Sequence, residues 1–288
     1  MSQEKVSIII PVYNEETGIG ELLEKLLPIA QELGAEVIVV DDGSRDGTGE
    51  ILAGYFEQGK IQLITHSENQ GYGRAIKSGL QRAGGEKILI LDGDGSYPLE
   101  AIPELVKKSE QAEMVVGARK SGLKVEPIMR RLFKWLINKL LRYLAGYQVR
   151  DLNSGMRIFS RSLVLPFLSL LPDGFSFTST LSLIFLSQGW NIEYLEIAYQ
   201  PRKGKSKFSF REIFPLSLLL LRTIIYFNPL KFFVPLSIFL FFLALFVALF
   251  SIFVLGKFMD VTTAVLLIGA VQVFVLGLLA DLILRLKK

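Results

Sequence analysis

The 288-residue sequence contains no cysteine and only one histidine, His66. Without cysteine the chain can form neither disulfide bonds nor thiolate metal sites, and it is compatible with a reducing compartment. His66 stands at the end of a short apolar run and is the one candidate for a histidine general base. Carboxylates, hydroxyls and basic side chains are therefore the main candidates for catalysis and ligand binding.

Acidic residues are scarce after Phe208, where long apolar runs take their place. Residues 230–255 carry a single charge, Lys231, and residues 261–284 carry a single acid. Each run exceeds the roughly 18 apolar residues that indicate a transmembrane helix, although a buried core helix can show the same composition. Only the short sequence GKFMD separates the two runs. The sequence therefore predicts a hairpin of two membrane spans within a C-terminal segment, 229–288.

The distribution of basic residues predicts how this hairpin is oriented. Lys231 precedes the first span and three basic residues follow the second, whereas only Lys257 lies in the turn. The positive-inside rule then places both ends of the chain, and the domain before the hairpin, in the cytoplasm. The N-terminal sequence MSQEKVSIII also lacks the basic start and apolar core of a signal peptide. We therefore expect a cell-membrane protein with two spans, which forms a homo-oligomer or has a membrane partner.

Basic residues are concentrated in the hundred residues that precede the predicted membrane spans. The formal net charge is +4, and the surplus base lies mostly between Lys120 and Arg222. Segment 127–146 mixes basic residues with Leu, Phe, Trp and Tyr, and segment 208–228 is richer in apolar residues. Such amphipathic helices suit the headgroup layer of a membrane, although their apolar faces can instead pack on a sheet. We expect two interfacial helices, and anionic lipid or phosphate rather than nucleic acid as partners.

The first two hundred residues alternate short apolar runs with helix-like stretches. Five runs predict buried strands: Val6–Val12, Glu36–Val40, Ile61–Thr65, Lys87–Leu91 and Met114–Ala118. Their lengths and flanking turns fit a mostly parallel sheet covered on both faces by helices. Such sheets bind ligands beyond the carboxyl ends of their strands. We therefore expect a Rossmann-like α/β domain over residues 1–207, with its site at that edge.

Polar residues gather where these predicted strands end, in PVYNEE, DDGSRDGT, DGDGSYP and GARKSG. In the third of these, Asp92 and Asp94 can face one point, because residues i and i+2 of a strand share a face. Two carboxylates suit a hard divalent cation such as Mg²⁺ or Mn²⁺, whose shell is usually completed by phosphate oxygens. A solvated acidic turn is the simpler interpretation, but a second pair, Asp41 and Asp42, ends a neighbouring strand. The sequence thus predicts a metal site for a phosphorylated ligand.

Taken together, PVYNEE, VVDDGSRDGT, NQGYGRAIKSGL and LDGDGSYP resemble family 2 glycosyltransferases of the GT-A fold, over roughly residues 5–205. The resemblance implies that the nucleotide sugar is bound by Pro11, Tyr13, Glu15, Asp42 and Asp92. It also implies that Asp92 and Asp94 bind the metal. Ser96 stands where relatives commonly carry Gln, and it is a further candidate ligand.

Two later segments narrow the resemblance. DLNSGMRIFSR and YQPRKGKSKFSF are similar to regions of the dolichyl-phosphate mannose synthase and polyisoprenyl-phosphate glycosyltransferase branch, whereas the QxxRW signature of processive synthases is absent. In that branch a lipid phosphate attacks the anomeric carbon of the nucleotide sugar, typically with inversion, and a nucleoside diphosphate leaves. The implied residues for binding the acceptor phosphate are Arg119, Arg130, Arg131, Ser154, Arg202 and Lys205. Arg202 joins Asp92 and Asp94 as a catalytic residue.

The leading hypothesis is a membrane-anchored, metal-dependent glycosyltransferase that moves one hexose, from GDP-mannose or UDP-glucose, to a polyprenyl or dolichyl phosphate. A phosphate acceptor needs cations rather than a strong base, because it is already anionic at neutral pH. A second hypothesis keeps the fold and takes a hydroxyl acceptor on a glycolipid or protein, which would require a carboxylate base instead of arginines. A third is a membrane scaffold that binds nucleotide sugar without turnover. Metal-dependent nucleotide release separates the enzyme from the scaffold.

Overall fold

The computed structural model describes residues 5–119, 151, 153–198, 225, 229–257 and 259–286. The chain divides into two compact units, Met1–Phe208 and Ser209–Lys288. The predicted interfacial segments 127–146 and 208–228 lie outside the described residues, apart from residue 225. Their placement at a membrane surface stays a prediction.

One sheet runs through the first unit. Its described strands are β1 (Val6–Val12), β2 (Glu36–Asp41), β3 (Gln62–Thr65), β4 (Lys87–Ile90), β5 (Met114–Arg119), β6 (Arg157–Ser160) and β7 (Ile192–Ile197), in the order β3-β2-β1-β4-β6-β5-β7. Every pairing is parallel except the two made by β6, which runs antiparallel to β4 and β5. The predicted mostly parallel, Rossmann-like sheet is confirmed. Each of the five predicted strands matches an observed strand to within one residue at either end.

Helices fill the connections between these strands. They are α1 (Ile19–Glu32), α2 (Thr48–Glu57), α3 (Tyr72–Arg82), α4 (Ile102–Lys108), α5 (Arg161–Val164) and α6 (Phe177–Ser187), with 3₁₀ turns at Leu99–Ala101 and Leu165–Phe167. Every residue of β1 is buried, as expected for a central strand of a parallel sheet. Helix α3 packs on β1 and β2. The core therefore lies between the sheet and its crossover helices, and it leaves the carboxyl ends of the strands open for a site.

The second unit contains the two long apolar helices, α7 (Leu230–Phe253) and α8 (Asp260–Leu286). Both are long and apolar enough to cross a membrane, and only 11% and 17% of the residues in their most apolar windows are buried. A core helix of a soluble protein would instead be mostly buried. The composition and exposure of these helices therefore indicate a membrane anchor.

The two helices of the hairpin pack against each other through small residues. Thr263, Ala270 and Gly277 recur at heptad spacing on α8 and are buried. Ser237 Oγ on α7 donates a hydrogen bond to Ala270 O (2.8 Å). A side chain at Gly277 would lie 2.6 Å from Cβ of Phe233 on α7. Small residues at this seam let the two helix backbones approach closely.

Candidate active site

The carboxyl ends of β2, β1 and β4 lie side by side at one edge of the sheet. Asp42 N, just after β2, donates a hydrogen bond to Val12 O at the end of β1 (2.9 Å). On the other side of β1, Leu91 N donates to Ile9 O (3.0 Å), immediately before Asp92. The two acidic pairs identified in the sequence therefore lie at the carboxyl ends of strands that flank β1.

The loop after β1 is fastened to the loop after β2. Asn14 adopts φ 54°, a left-handed conformation that asparagine tolerates, and its Oδ1 accepts a hydrogen bond from Arg45 N (2.8 Å). Asn14 N donates to Ser44 Oγ (3.0 Å), and Glu15 N donates to Thr48 Oγ1 (2.9 Å). These bonds hold both loops in one conformation beside the sheet edge.

Three of the predicted nucleotide-binding residues lie on or just before this fastened loop. Pro11 is buried within β1, Glu15 is half-buried, and the side chain of Tyr13 is 41% exposed. An exposed aromatic ring can stack on a base. The contacts of these residues with a nucleotide stay predictions.

Asp42, the fourth predicted nucleotide ligand, is buried and points into the loop before α3. Its Oδ1 accepts hydrogen bonds from Gln70 N (2.9 Å) and bonds to His66 Nδ1 (2.7 Å), and its Oδ2 accepts from Gly71 N (2.8 Å). His66 Nε2 in turn bonds to Ser78 Oγ on α3 (2.9 Å). Asp42 and His66 thus fix the loop that leads into α3, which is a structural role that the sequence did not predict.

Asp92 is held by two groups from distant parts of the chain. Tyr72 Oη, at the start of α3, donates a hydrogen bond to Asp92 Oδ1 (2.7 Å). A Cβ atom at Gly155 would overlap the Asp92 carboxylate, so the absence of a side chain there makes room for Asp92. Gly155 N donates to Tyr97 Oη (2.7 Å). Asp92 is therefore half-buried. We call the residues that surround it, Tyr72, Tyr97 and Gly155, the cradle of Asp92.

The antiparallel direction of β6 brings Gly155 to this position. Arg157, the first residue of β6, is in register with Ile90, the last residue of β4. Because β6 runs against β4, the residues just before β6 lie just beyond the carboxyl end of β4. The segment Ser154–Met156 therefore meets Asp92.

Both tyrosines of the cradle keep their protons over an extended pH range. Burial, together with the nearby charge of Asp92, raises the pKa of Tyr72 well above its ordinary value. Burial and the Asp92 charge also raise the pKa of Tyr97 to about 12. Tyr72 therefore stays a hydrogen-bond donor to Asp92 at any physiological pH.

Asp94 is fixed by its own turn. Its Oδ1 accepts hydrogen bonds from Ser96 N (3.0 Å) and from the Ser96 hydroxyl. Ser96, a candidate metal ligand in the sequence, is buried and donates its hydroxyl proton to Asp94. The structure thus has Ser96 orienting the carboxylate, and metal coordination by Ser96 stays a prediction.

The carboxylates at this edge of the sheet fit a hard divalent cation that keeps some of its coordinated water molecules. Asp92 and Asp94 are half-buried carboxylates on one turn, and carboxylate oxygens are what Mg²⁺ and Mn²⁺ prefer. In the described part of the chain, no three His, Cys, Asp or Glu side chains converge as a metal site. The protein would therefore supply few ligands, and phosphate oxygens and water would supply the rest.

A fully buried arginine lies behind the cradle. Arg157 Nε donates a hydrogen bond to Ser154 O (3.0 Å), and Nη1 donates to Thr178 O (2.8 Å) and Ser182 Oγ (2.9 Å). Burial lowers the pKa of this guanidinium, while the neighbouring Tyr72 acts in the opposite direction. The arginine ties β6 to α6 and fixes the backbone that carries Gly155.

Two of the predicted phosphate ligands are already engaged. Arg119 forms a bidentate ion pair with Asp151, from Nε to Oδ2 and from Nη2 to Oδ1, both at 2.8 Å. Burial acts to raise the pKa of Asp151, but the hydrogen bonds and charge of Arg119 outweigh it and lower that pKa. Ser154 is fully buried, and its hydroxyl donates to Gly117 O (2.6 Å). This position does not support the predicted contact of Ser154 with an acceptor phosphate.

The other predicted phosphate ligands fall elsewhere. Arg130, Arg131, Arg202 and Lys205 lie outside the described residues. The basic side of the site, including the catalytic role predicted for Arg202, therefore stays a prediction.

A loop before α6 covers the start of α3. Arg74 N donates a hydrogen bond to Asp173 O (3.0 Å), and Lys77 Nζ forms an ion pair with Asp173 Oδ1 (2.8 Å). Gly71 has φ 104°, and a Cβ atom there would lie 2.6 Å from Asp173 O. Phe175 is 81% exposed and stacks on the ring of Tyr72, with centroids 5.8 Å apart. The sequence GYGRAIKSGL indicated only the start of a helix. The glycines on either side of Tyr72, Gly71 and Gly73, were the available signal that another backbone segment lies close to this turn.

Two family profiles match the chain. The family described as Glycosyl transferase family 2 matches residues 7–165, and the domain described as GtrB C-terminal hairpin matches residues 228–286. The first match contains the cradle of Asp92, and the second contains α7 and α8.

Curated relatives include two bacterial transferases. The undecaprenyl-phosphate 4-deoxy-4-formamido-L-arabinose transferase of Photorhabdus laumondii is 34% identical over 215 residues, which are 73% of this chain and 65% of the relative. The enzyme of the same name from Pectobacterium atrosepticum is 31% identical over 214 residues, which are 73% of this chain and 64% of the relative. The chain thus spans somewhat less than two thirds of the length of these relatives.

Solved structures show the same fold at low sequence identity. Glucosyl-3-phosphoglycerate synthase from Mycobacterium tuberculosis, in complex with Mn²⁺, UDP and phosphoglyceric acid, superposes with a TM-score of 0.61 at 20% identity. The match covers 77% of this chain and 78% of that one. The complex of the same enzyme with Mg²⁺ and UDP gives a TM-score of 0.59 at 19% identity, with the same coverage. With the profile match over more than half of its residues, the chain belongs to glycosyl transferase family 2 and carries the GtrB-type C-terminal hairpin.

Proposed function

We propose that this chain transfers a sugar from a nucleoside-diphosphate sugar to a polyprenyl phosphate. The observation that carries the proposal is the carboxylate of Asp92, fixed by Tyr72 at the carboxyl edge of the sheet in a family 2 glycosyltransferase. Two curated relatives are, by name, transferases that act on undecaprenyl phosphate. The apolar hairpin supports an acceptor that resides in a membrane.

The proposed reaction is a single displacement at the anomeric carbon. A lone pair on an acceptor phosphate oxygen forms the new carbon–oxygen bond, and the bond from the anomeric carbon to the donor diphosphate breaks. The diphosphate leaves with the electron pair, and the anomeric centre inverts. No side chain has to remove a proton, because a phosphate monoester is already ionised at neutral pH. This agrees with the part that His66 plays in holding the loop.

On the donor side, the proposal assigns a separate task to each fixed residue. The exposed ring of Tyr13 stacks on the base, and Glu15 accepts hydrogen bonds from the nucleotide. Asp92, oriented by Tyr72 and Gly155, contacts the sugar nucleotide. Asp42 acts by holding the loop that carries Tyr72.

Asp92 and Asp94 are the residues that would hold Mg²⁺ or Mn²⁺. When bound, the cation supplies positive charge that stabilises the departing diphosphate. Ser96 keeps Asp94 in one orientation by donating to its Oδ1. The related fold from Mycobacterium tuberculosis was crystallised with Mn²⁺ or Mg²⁺ and UDP, which supports testing these metals first.

The proposed acceptor side is basic. Arg119 is about one-third exposed beside its partner Asp151, so its charge is partly compensated before any phosphate binds. Arg130, Arg131, Arg202 and Lys205 provide the remaining positive charge in the proposal, and arginine grips phosphate bidentately. Ser154 is not among these residues, because its hydroxyl is buried.

The identity of the sugar stays open to direct test. A hexose from UDP-glucose or GDP-mannose was expected from the sequence, whereas the curated relatives carry an arabinose derivative in their names. The related fold binds UDP. We therefore infer a UDP-linked sugar as the first donor to test, with GDP-mannose as the comparison.

We further propose that the hairpin crosses the membrane with both chain ends and the domain of residues 1–207 on the cytoplasmic side. The basic flanks of the two spans support this orientation. The segments 127–146 and 208–228 would then lie in the headgroup layer, where the phosphate of a polyprenyl acceptor is found.

The test is a nucleotide-release assay on the full chain in detergent. UDP-glucose, UDP-4-deoxy-4-formamido-L-arabinose and GDP-mannose are each offered with undecaprenyl phosphate, with a glycolipid or protein acceptor, or without any acceptor. Each mixture is tested with Mg²⁺, Mn²⁺ or a chelator. We expect release that requires the lipid and the metal, and a loss of at least about 100-fold in Asp92→Asn and Asp94→Asn. Glu100→Gln, which changes an exposed carboxylate on the following 3₁₀ turn, is the matched control.

Three outcomes separate the hypotheses. Lipid-dependent release that disappears in the two aspartate variants supports the proposal. Release that depends on a glycolipid or protein hydroxyl instead of the lipid phosphate would replace the acceptor. Tight nucleotide binding without release from any donor would contradict enzymatic function and favour the scaffold.

A further inference from the structure

Phe175 is the most exposed large apolar side chain in the described part of the first unit. It is 81% exposed, against 52% for Phe56 and 41% for Tyr13. A single exposed apolar residue is ordinary on a protein surface, so exposure by itself assigns no task to the ring. Its position is more informative, because the ring stacks on Tyr72, which donates the hydrogen bond to Asp92. One aromatic ring therefore separates Phe175 from the carboxylate of the candidate site.

The backbone on both sides of Phe175 is held in place. Asp173 O accepts a hydrogen bond from Arg74 N (3.0 Å), and the Asp173 carboxylate forms an ion pair with Lys77 (2.8 Å). Two residues after the exposed ring, Phe177 is fully buried at the start of α6. The exposed ring is thus carried by a segment that is fastened before and after it.

The plane of the ring is defined as well. The rings of Phe175 and Tyr72 are nearly parallel, with an interplanar angle of 17° and centroids 5.8 Å apart. Within the described part of the chain, Tyr72 is the one aromatic partner of Phe175. One face of the Phe175 ring is therefore turned to Tyr72, and the high exposure of the side chain leaves the other face open to a ligand.

An open aromatic face beside a carboxylate matches the two kinds of surface that a sugar presents. The C–H bonds of a pyranose ring carry partial positive charge because oxygens neighbour them, and the face of an aromatic ring is negative. The hydroxyl groups of the same sugar can donate hydrogen bonds to a carboxylate such as that of Asp92. Sites for small molecules commonly combine apolar or aromatic walls with a few polar groups that fix the orientation of the ligand.

We propose that Phe175 packs against the C–H face of the transferred sugar and thereby helps to determine which sugar nucleotides are accepted. The inference rests on the proposed function, in which Asp92 contacts the sugar nucleotide and Tyr13 stacks on its base. Sugars with an unbroken C–H face are favoured, whereas an axial hydroxyl on that face would hold the sugar away from the ring. A polyprenyl chain is the other apolar group in the proposed reaction, but the link through Tyr72 to Asp92 favours the sugar.

Calorimetry on the full chain in detergent, with Mg²⁺ and without a lipid acceptor, tests this contact. UDP, UDP-glucose and UDP-4-deoxy-4-formamido-L-arabinose are titrated separately. We expect Phe175→Ala to raise the Kd of at least one of the two sugar nucleotides roughly 3- to 10-fold, as the loss of one aromatic contact should, and to change the Kd of UDP less than about twofold. Because the side chain is exposed, its removal should leave the fold intact.

Three further variants define what the position requires. Phe175→Tyr keeps the aromatic face and should bind like the wild type. Phe175→Leu keeps an apolar side chain without the ring and should resemble Phe175→Ala. Phe56→Ala removes the other strongly exposed phenylalanine, on α2, and should change the binding of none of the three nucleotides.

Saturation-transfer difference NMR with UDP-glucose provides a second readout. The uracil protons serve as the internal reference, because the base is assigned to Tyr13 in the proposed function. In the wild type the C–H protons of the sugar should receive saturation together with the uracil protons. In Phe175→Ala the sugar signals should fall relative to the uracil signals, and equal signal ratios in the two proteins would contradict the contact.

The outcomes separate this proposal from the one it rests on. An equal rise in the Kd of UDP and of both sugar nucleotides would show that the ring acts through Tyr72 and Asp92, and would overturn the sugar contact. Unchanged binding of all three would also overturn it, and a raised KM for undecaprenyl phosphate would then assign the ring to the lipid. A wild-type chain that binds none of the three would contradict the proposed function itself. Selective weakening of sugar nucleotides in a chain that transfers nothing to lipid phosphate would support the Phe175 contact and contradict the acceptor alone.

Discussion

Tyr72 Oη donates a hydrogen bond of 2.7 Å to Asp92 Oδ1, although the two residues belong to different strand-to-helix connections. Tyr72 begins α3 and follows Gln70 and Gly71, whose N–H groups both bond to Asp42. The orientation of Asp92 after β4 therefore depends on a loop that is anchored after β2. This relationship links the two acidic strand ends through Tyr72 and the loop before it.

Tyr72→Phe should weaken catalysis while the chain stays folded. A hydrogen bond to a charged group contributes about 1.5–3 kcal/mol, so losing it should lower kcat/KM roughly 10- to 100-fold. Tyr55→Phe is the matched control, because its hydroxyl bonds to Gly20 O (3.3 Å) between α2 and α1. Wild-type nucleotide release by Tyr72→Phe would show that Asp92 does not need this bond.

Gly155→Ala adds only one methyl group but should strongly lower the catalytic rate. The added methyl group would overlap the Asp92 carboxylate, and a misplacement of about 1 Å in a site can cost about 100-fold in rate. Gly54→Ala, in the middle of α2 where a Cβ atom meets nothing within 4 Å, should retain activity and gain stability. Nucleotide release and circular dichroism on both variants provide the comparison. An active Gly155→Ala enzyme would contradict the cradle.

The raised pKa of Tyr97 predicts a loss of stability at alkaline pH. In the unfolded chain this phenol ionises near pH 10, whereas in the fold its pKa is about 12. Its contribution to the free energy of unfolding is therefore fully present below about pH 10 and is lost as pH rises towards 12. Melting temperatures measured between pH 9 and 12 should fall less steeply for Tyr97→Phe than for the wild type. Identical slopes would show that the shift is absent.

His66→Ala distinguishes a structural histidine from a general base. Removing the bond to Asp42 should lower the free energy of unfolding by about 1–3 kcal/mol and reduce kcat less than tenfold. The pH profile of kcat should keep its shape. A fall of about 10²- to 10⁴-fold, with the loss of a limb of the profile, would instead identify His66 as the base.

Chelation tests the two carboxylates of the turn. Removing divalent cations should abolish nucleotide release, and adding back Mg²⁺ or Mn²⁺ should restore it. Ser96→Ala frees Asp94 Oδ1 from its hydroxyl partner, so the metal concentration for half-maximal activity should shift while saturating activity is largely kept. An unchanged metal requirement would mean that the Ser96 bond does not influence the metal site.

Much of the fold could be predicted from local patterns. The apolar runs of β1 to β5 and the loops after them were found because a buried parallel strand carries a continuous apolar signature. The strand β7 carries Glu193 and Glu196, so it does not show that signature. The insertion of β6 between β4 and β5 is a long-range choice that no local pattern reports.

In the candidate site, too, some residues could be predicted from local sequence and others depend on long-range contacts. Asp92 and Asp94 could be identified from their position after β4, but their supports could not. Gly155 reaches Asp92 only because β6 is antiparallel to β4, and Tyr72 reaches it from the start of α3. Ser154 was expected at a phosphate, and the same strand direction buries it against Gly117 instead.

The most direct test of the account is the lipid product itself. The full-length chain, reconstituted with undecaprenyl phosphate, Mg²⁺ and a UDP-linked sugar, should yield a lipid-phosphate sugar in the organic extract, identified by mass spectrometry together with an equal amount of released UDP. Asp92→Asn should yield neither product, and Glu100→Gln should yield both. If UDP is released without any sugar on the lipid phosphate, or if Asp92→Asn performs as well as the wild type, the proposed transfer to a polyprenyl phosphate is wrong.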